Sequence, residues 1–443
     1  MKNIAIIGAG LMVKPIVDYF LNKTGYKVTL MDRILEKAVK IKDGRDRCNA
    51  LVWNNNNEEE LDNVIKNSDI VISMVPKPIH IFIAKSCLKF KKNMVTAAYE
   101  VPEILELKDE IEKKGILILN ELGEVPGMDH LGTQLVLDQI KKDGGHVQSL
   151  NSYGSGIPAF ESNNNPMGYK FSWDPRTVFV AAQTAAAYMD KGNKIYIPGD
   201  KLFENFSFVE IDNLGTFETY PNKNVEKYIS PFGLDRNASF YRGLLRYSGY
   251  CNNMRYLGAL GLFKNETSHE LNNKTYQEFT ASLINSSSTD NLEKQVADYL
   301  KIDFNSDIIH RIKWLGLFDK KTVPLTEGTY LDVLLDLMLK KMKYKDDEKD
   351  MIILHIEIIA EFENNRKEKR TATMVVKGIP YGETAMSRAV GLPTAISARL
   401  IVDGKINATG LKIPPTLPEL YVPVLDELKE FGFEFLLKTE VIK

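Results

Sequence analysis

The chain of 443 residues is 44% hydrophobic and 26% charged, which is ample for sizeable cores and excludes a disordered protein. Its 57 basic and 59 acidic side chains leave a net charge of −2, so nothing draws it to nucleic acid or an anionic membrane. Three scattered cysteines, Cys48, Cys87 and Cys251, make no disulfide framework and point to a reducing compartment. No apolar run reaches the roughly 18 residues of a membrane span. The first apolar segment ends in a glycine turn rather than a cleavage site, so the cytoplasm is the default setting.

Residues 4–7 are wholly apolar, as a parallel strand covered on both faces should be. Residues 12–21 follow with helical spacing, and Gly25 closes them. A second strand is predicted at 28–31, ending at Asp32, and three more at 70–75, 94–96 and 116–119, with charged amphipathic stretches between. Successive βα units of this kind build a parallel sheet. The run Asn54 to Asn57 with Glu58 to Glu60 reads as a solvated loop leading into a helix. Beyond residue 120 glycine, proline and asparagine become frequent, which predicts a second α+β region with long functional loops. Residues 252–345 read mostly as helix, with N-cap spacing at Asp290 and Glu293 and at Thr329 and Asp332. A strand pair is expected at 351–362 and 370–377, then a helix at 386–402. A proline-rich loop at Pro414, Pro415 and Pro418 precedes a closing helix.

The first chemical motif is Gly8-Ala9-Gly10-Leu11-Met12-Val13, placed between a strand and a helix. Gly8 suits the tight turn, and Gly10 lets backbone approach a pyrophosphate at a helix N-terminus. The usual third Gly or Ala is Val13 here. Asp32 ends the next strand at about the spacing of a ribose-binding acid, which favours NAD by repelling a 2′-phosphate. Arg33 beside it would pair with that phosphate, so NADP stays open. Leu11 and Met12 in the turn, Asn54 at the start of the asparagine run, and Ser73, Val75 and Pro76 complete the expected cofactor site.

Further along stand Ser152-Tyr153-Gly154-Ser155-Gly156-Ile157-Pro158-Ala159 and Asn165-Pro166-Met167-Gly168-Tyr169-Lys170-Phe171-Ser172-Trp173. With Asn120-Glu121-Leu122-Gly123, Tyr220-Pro221-Asn222, Leu245-Arg246-Tyr247 and Val390-Gly391-Leu392-Pro393, they resemble the saccharopine reductase family over the whole length. In that family the two long segments read much like S-Y-C-G-G-L-P-A-P and N-P-L-G-Y-K-F-S-W. The resemblance implies an α/β protein with a Rossmann-type dinucleotide-binding domain (1–125 and 395–443). It adds a second α/β domain for substrate and dimer contacts (126–250 and 346–394) and a helical insert (251–345). It also implies a homodimer, no metal, and NAD(P)-dependent joining of glutamate to 2-aminoadipate 6-semialdehyde through an imine, or the reverse.

By the same resemblance Ala98, Tyr99, Val125, Trp173, Lys223, Leu244 and Arg246 are the substrate positions. Three of them depart from the pattern: Val125 replaces Asp, Lys223 replaces Arg and Leu244 replaces Thr. Lysine is a point charge where arginine is a bidentate clamp, and the other two changes remove polar partners. Tyr99 matches a family tyrosine near substrate and is one catalytic candidate. Lys77 is another, at a strand end where the family usually carries an aromatic residue. It would bind a carboxylate, or move a proton if burial lowered its pKa. His130 with Asp129 and Glu121 reads as a helix start rather than a metal site, and His80 as structural. Three functions follow: the saccharopine reaction, the same imine chemistry on another amine and carbonyl pair, or a silent NAD(P)-binding sensor or scaffold.

Overall fold

The computed structural model describes residues 1–54 and 57–442. One unit takes Met1–Gly154, Lys227–Ser239 and Met351–Lys443; the other takes Ser155–Glu226 and Phe240–Asp350. Among the described residues no helix is long and apolar enough to cross a membrane.

Short apolar strands alternate with amphipathic helices at the start of the first unit. They are β1 (Asn3–Ile7), α1 (Lys14–Lys23), β2 (Lys27–Asp32), α2 (Leu35–Lys42), β3 (Cys48–Val52), α3 (Glu58–Lys66) and β4 (Ile70–Ser73). Then come α4 (His80–Phe90), β5 (Asn93–Val95), α5 (Pro102–Leu105), α6 (Lys108–Lys114), β6 (Leu117–Leu119) and α7 (Met128–Lys142). Helix α1 starts two residues later than its apolar pattern, because Gly10 to Val13 form the turn itself: the Val13 N–H donates to the Gly10 carbonyl at 3.1 Å. Asn57 caps α3 by accepting the Glu60 N–H at 3.2 Å. Its neighbours Asn55 and Asn56 in the expected loop lie outside the described residues.

The chain enters the second unit within β7 (His146–Pro158). There it forms α8 (Pro175–Ala181), β8 (Ala186–Asp190), β9 (Asn193–Ile197), β10 (Ser207–Ile211) and β11 (Gly215–Pro221). After α9 (Glu226–Ile229) comes β12 (Ser239–Arg246). The strands β10, β11 and β12 are antiparallel neighbours, and β8 pairs with β12 and β9. A helical run follows: α10 (Tyr250–Ala259), α11 (Tyr276–Leu283), α12 (Leu292–Leu300), α13 (Asp307–Leu315) and α14 (Tyr330–Lys341), with β13 (His269–Glu270) paired to β14 (Glu327–Gly328). Leu262, Val296, Leu315, Leu331 and Leu334 are fully buried in its core. Thr329 and Asp332 form the expected capping box, and Thr275 and Glu278 form another. Asp290 does not cap α12. Asn291 takes that place in a left-handed conformation (φ 50°) with no side-chain cap bond, leaving Asp290 one residue outside.

Back in the first unit, β15 (Asp350–Glu361) and β16 (Lys367–Lys377) pair antiparallel, as expected. They are followed by α15 (Ala385–Val402), β17 (Gly410–Lys412), α16 (Pro418–Lys429) and β18 (Leu436–Ile442). Strand β17 adds in parallel beside β6, so the seven-stranded sheet runs β17-β6-β5-β4-β1-β2-β3. Its order reverses between β1 and β4, the switch point outside whose strand ends such sheets bind ligands. Strands β15, β16 and β18 belong to a second, antiparallel sheet, in which β18 pairs with β16.

Candidate active site

At the switch point the glycine-rich turn is fixed by sterics. Gly8 has φ +107°, and a Cβ there would lie 2.4 Å from the Met74 carbonyl oxygen. Gly10 is different: a Cβ added to it would meet nothing within 4 Å, so the turn is open on that side. Just beyond, α1 begins with Pro15 near its start and no side chain capping its first turn. Its N-terminal N–H groups and dipole therefore suit an anion. These residues fit the pyrophosphate of a dinucleotide. Leu11 is exposed and Met12 half-buried beside the opening. The close helix approach usually provided by a third glycine comes from Gly391 on α15, whose Cβ would sit 2.9 Å from the Met12 carbonyl oxygen. Val13 is free to be a fully buried core residue.

Asp32 is placed at the end of β2, but its carboxylate is already engaged. It accepts the Ala9 N–H at 2.7 Å and the Ile34 N–H at 2.8 Å, bolting the glycine turn to β2. Arg33 beside it is exposed, as is Asn54 after β3. Ser73 ends β4, with its Oγ 2.7 Å from His80 Nδ1; Val75 is half-buried and Pro76 exposed. His80 is buried, and that burial pushes its imidazole down to about 4, so it is neutral at physiological pH. Lys77 lies in an exposed 3₁₀ turn after β4. The enclosure expected of a proton-moving lysine is absent there.

The loops after β5 and β6 carry a second cluster, still within the first unit. Glu121 is fully buried in a left-handed conformation (φ 63°). It accepts from Lys227 Nζ at 2.5 Å and the Tyr228 hydroxyl at 2.9 Å, and lies 3.0 Å from His130 Nε2. Burial would raise its pKa, but His130 and Lys227 outweigh it and hold the carboxyl at about 2. Lys227 also reaches Glu100 at 3.5 Å and sits 5.5 Å from the ring of Tyr99. Ala98 and Tyr99 are half-buried next to Glu100. Asp129 accepts the Gly127 N–H at 2.7 Å at the start of α7. Val125 fills the space beside Gly154: a Cβ on Gly154 would lie 2.3 Å from Val125 Cγ2. The family segment has Cys at position 154 and Asp at 125, so two departures meet at one contact.

In the second unit Trp173, Lys223, Leu244 and Arg246 line one open cavity of about 370 Å³ with Tyr220 and Asn222. The antiparallel register sets Tyr220 opposite Leu244 and Glu218 opposite Arg246. Glu218 does not pair with that arginine. Its carboxylate accepts the Gly249 N–H at 2.6 Å and the Cys251 N–H at 2.8 Å, at the start of α10. Arg246 is thus left buried among the rings of Tyr250, Tyr169 and Tyr220 at 5.1, 5.3 and 5.7 Å. Its Nη1 donates to the Leu245 carbonyl at 2.7 Å, and its Nε is buried without a partner. No carboxylate pairs with it among the described residues. A buried guanidinium in that state costs several kcal/mol, which cation–π contacts only partly offset. It is suited to a ligand carboxylate.

Sequence reasoning missed Glu100 and Lys227. They stand more than a hundred positions apart, and only the placement of α9 beside the β5 loop joins them.

The open glycine turn at the switch point of a parallel sheet is that of a dinucleotide-binding, Rossmann-type fold. Residues 4–119 match the model of the saccharopine dehydrogenase NADP binding domain, and residues 123–433 that of the saccharopine dehydrogenase C-terminal domain. The chain belongs to the saccharopine dehydrogenase family. It is 31% identical to saccharopine dehydrogenase [NADP(+), L-glutamate-forming] of Schizosaccharomyces pombe, over 100% of this chain and 99% of that one. It is also 31% identical to the mitochondrial alpha-aminoadipic semialdehyde synthase of Rattus norvegicus, spanning 48% of that longer protein. The apo saccharopine dehydrogenase (L-Glu forming) structure from Saccharomyces cerevisiae superposes with a TM-score of 0.90 at 30% identity, covering 99% of this chain and 100% of that one.

Proposed function

We propose that this protein is an NADP-dependent saccharopine dehydrogenase of the glutamate-forming type, acting on saccharopine or joining glutamate to 2-aminoadipate 6-semialdehyde. The observation that carries this reading is Arg246, a buried guanidinium with no carboxylate partner among the described residues, on the wall of a cavity that also holds Lys223. Saccharopine and its two halves are amino acids that bring carboxylates to such a group. Val125, Lys223 and Leu244 favour the second reading, the same chemistry on a different amine and carbonyl pair. Retention of the aromatic cage around Arg246 weighs against a silent scaffold.

The bound cofactor gives or takes the hydride. The glycine turn and the first turn of α1 would hold its pyrophosphate, with Gly8 keeping the turn tight and Gly10 leaving room. The expected preference for NAD rested on a free Asp32 carboxylate. With that carboxylate committed to Ala9 and Ile34, exposed Arg33 is the group left to meet a 2′-phosphate, and we assign NADP. In the substrate cavity Arg246 orients a carboxylate as a bidentate fork, and Lys223 adds a second, adaptable positive charge. Tyr99, on the β5 loop of the first unit, is assigned to the substrate by the family pattern alone. The division into cofactor, substrate and helical parts given above is part of this reading.

A homodimer and a cytoplasmic setting belong to the same proposal. Support for a dimer comes from β18, an edge strand with Leu436 and Val441 largely exposed. Two copies paired antiparallel about Thr439 would bring Lys438 against Glu440 and Leu437 against Val441. The experiment that tests the function is mass-spectrometric analysis of saccharopine incubated with the protein and NADP⁺. Glutamate and the semialdehyde are the expected products. Intact saccharopine, with another secondary amine consumed, would carry the second reading instead.

A further inference from the structure

The cluster on the β5 and β6 loops has a role that neither the cofactor turn nor the Arg246 cavity accounts for. Reduction or cleavage of an imine needs a group that takes and returns a proton, and position 125, polar in the family pattern, is an apolar valine here. The carboxyl of Glu100 is half-buried five residues beyond the end of β5, on the C-terminal edge where parallel sheets receive their ligands. Lys227 holds it at 3.5 Å, and Lys227 is itself held by fully buried Glu121 at 2.5 Å. Glu121 in turn is fixed by Tyr228 and His130. Three side chains, Glu121, Tyr228 and His130, thus fix one ammonium next to one carboxyl at the sheet edge.

We propose that Glu100 is the proton-transferring catalytic residue of this enzyme and that Lys227 is its positioning residue. The proposal rests on the imine chemistry assigned above. In the cleavage direction, after hydride has left the substrate carbon, water adds to the iminium carbon. The C–O bond forms and one water proton passes to the Glu100 carboxylate. The carbinolamine then collapses: its hydroxyl releases a proton to solvent as the C=O forms, and the C–N bond breaks with its electron pair on nitrogen. Glu100 returns its proton to that nitrogen. One proton is released overall, and Glu100 ends as it began.

The charges around Glu100 suit an acid that must both gain and lose a proton. Burial raises its pKa, Lys227 and Lys108 on α6 lower it, and Glu121 raises it, with a net upward shift. Tyr99, the residue before it, faces the same ammonium through its ring.

The test uses the full-length protein as wild type and as Glu100→Gln, Glu100→Asp, Lys227→Met and Lys227→Arg. Affinity for NADP⁺ is followed by protein fluorescence across the acid-to-neutral range. A Glu100 carboxyl in the catalytic role would lie near the cationic nicotinamide of bound NADP⁺, so wild-type affinity should rise as it ionises, and Glu100→Gln should abolish that rise while Glu100→Asp keeps it. Turnover of saccharopine falls about 100-fold or more in Glu100→Gln, with KM little changed. Lys227→Met moves the acidic inflection of kcat to higher pH, because the cation favouring the carboxylate is gone, and Lys227→Arg restores it. A wild type that turns over saccharopine, with Glu100→Gln unchanged in both measurements, overturns the proposal and leaves the assigned function standing. A pH-linked NADP⁺ affinity that vanishes in Glu100→Gln, in a protein inert to saccharopine, supports the proposal and overturns the substrate. Loss of both signals in the wild type overturns both.

Discussion

Replacing Arg246 by leucine separates a functional charge from a structural one. In the folded protein this guanidinium is buried with no carboxylate partner among the described residues, a state that costs several kcal/mol. The three tyrosine rings return about 0.5–2 kcal/mol each. Leucine gives up those contacts and removes the burial cost, so the two changes nearly cancel and stability should move by no more than about 1–2 kcal/mol. Binding has no such compensation. Losing one side of a desolvated charge pair costs about 2–5 kcal/mol, which is a rise in KM of about 30-fold or more for a carboxylate substrate. The assay pairs urea unfolding with steady-state kinetics on saccharopine. Arg246→Lys should also bind poorly, since a point charge replaces the planar fork that pairs with a carboxylate. A large fall in the unfolding midpoint with KM unchanged would refute the reasoning and make Arg246 a core residue.

The two glycines of the turn should part company. Gly8→Ala forces a methyl onto the Met74 backbone at positive φ and should lower Tm, whereas Gly10→Ala should melt like wild type and lose about tenfold in NADP affinity. Equal losses of Tm would contradict that division. Gly154→Ala should cost about 1–3 kcal/mol by overpacking Val125, and Val125→Ala should relieve it. A urea double-mutant cycle should therefore show coupling of about 1 kcal/mol or more, and additive effects would place the clash elsewhere. Glu121 has its carboxyl at about 2 in the fold against 4.5 unperturbed, so its contribution is fully present above 4.5 and is lost as pH falls from there through 2. Acid unfolding of Glu121→Gln should be correspondingly less steep in that window, and an unchanged slope would remove Glu121 from the cluster's energetics.

Much of the first sheet was legible because its strands carry their own signal. In β1, and in β4 as far as Ile72, every buried position is apolar, since both faces are covered. Strand β3 was not legible: Cys48 to Val52 sits at the sheet edge, mixes Asn49 and Ala50 with apolar residues, and is buried only at Cys48. Strand β17 is three residues whose identity as a strand comes wholly from β6, nearly three hundred positions earlier. The same contrast holds at the site. Gly8 and Gly10 obey a local rule that a six-residue motif displays. Whether Asp32 meets a ribose or the backbone of its own turn depends on where Ala9 and Ile34 point. Whether Arg246 is paired depends on α10 starting where it captures Glu218. Those are three-dimensional facts, and the lean towards NAD, read from Asp32 with Arg33 keeping NADP open, finds no support once Asp32 is seen to hold its own turn.

The central claim is tested most directly by mixing the purified protein with saccharopine and NADP⁺ and following near-ultraviolet absorbance. The account predicts steady NADPH formation, much faster than with NAD⁺ and suppressed in Arg246→Leu. An absorbance that stays flat with saccharopine, while NADPH still binds, would contradict it.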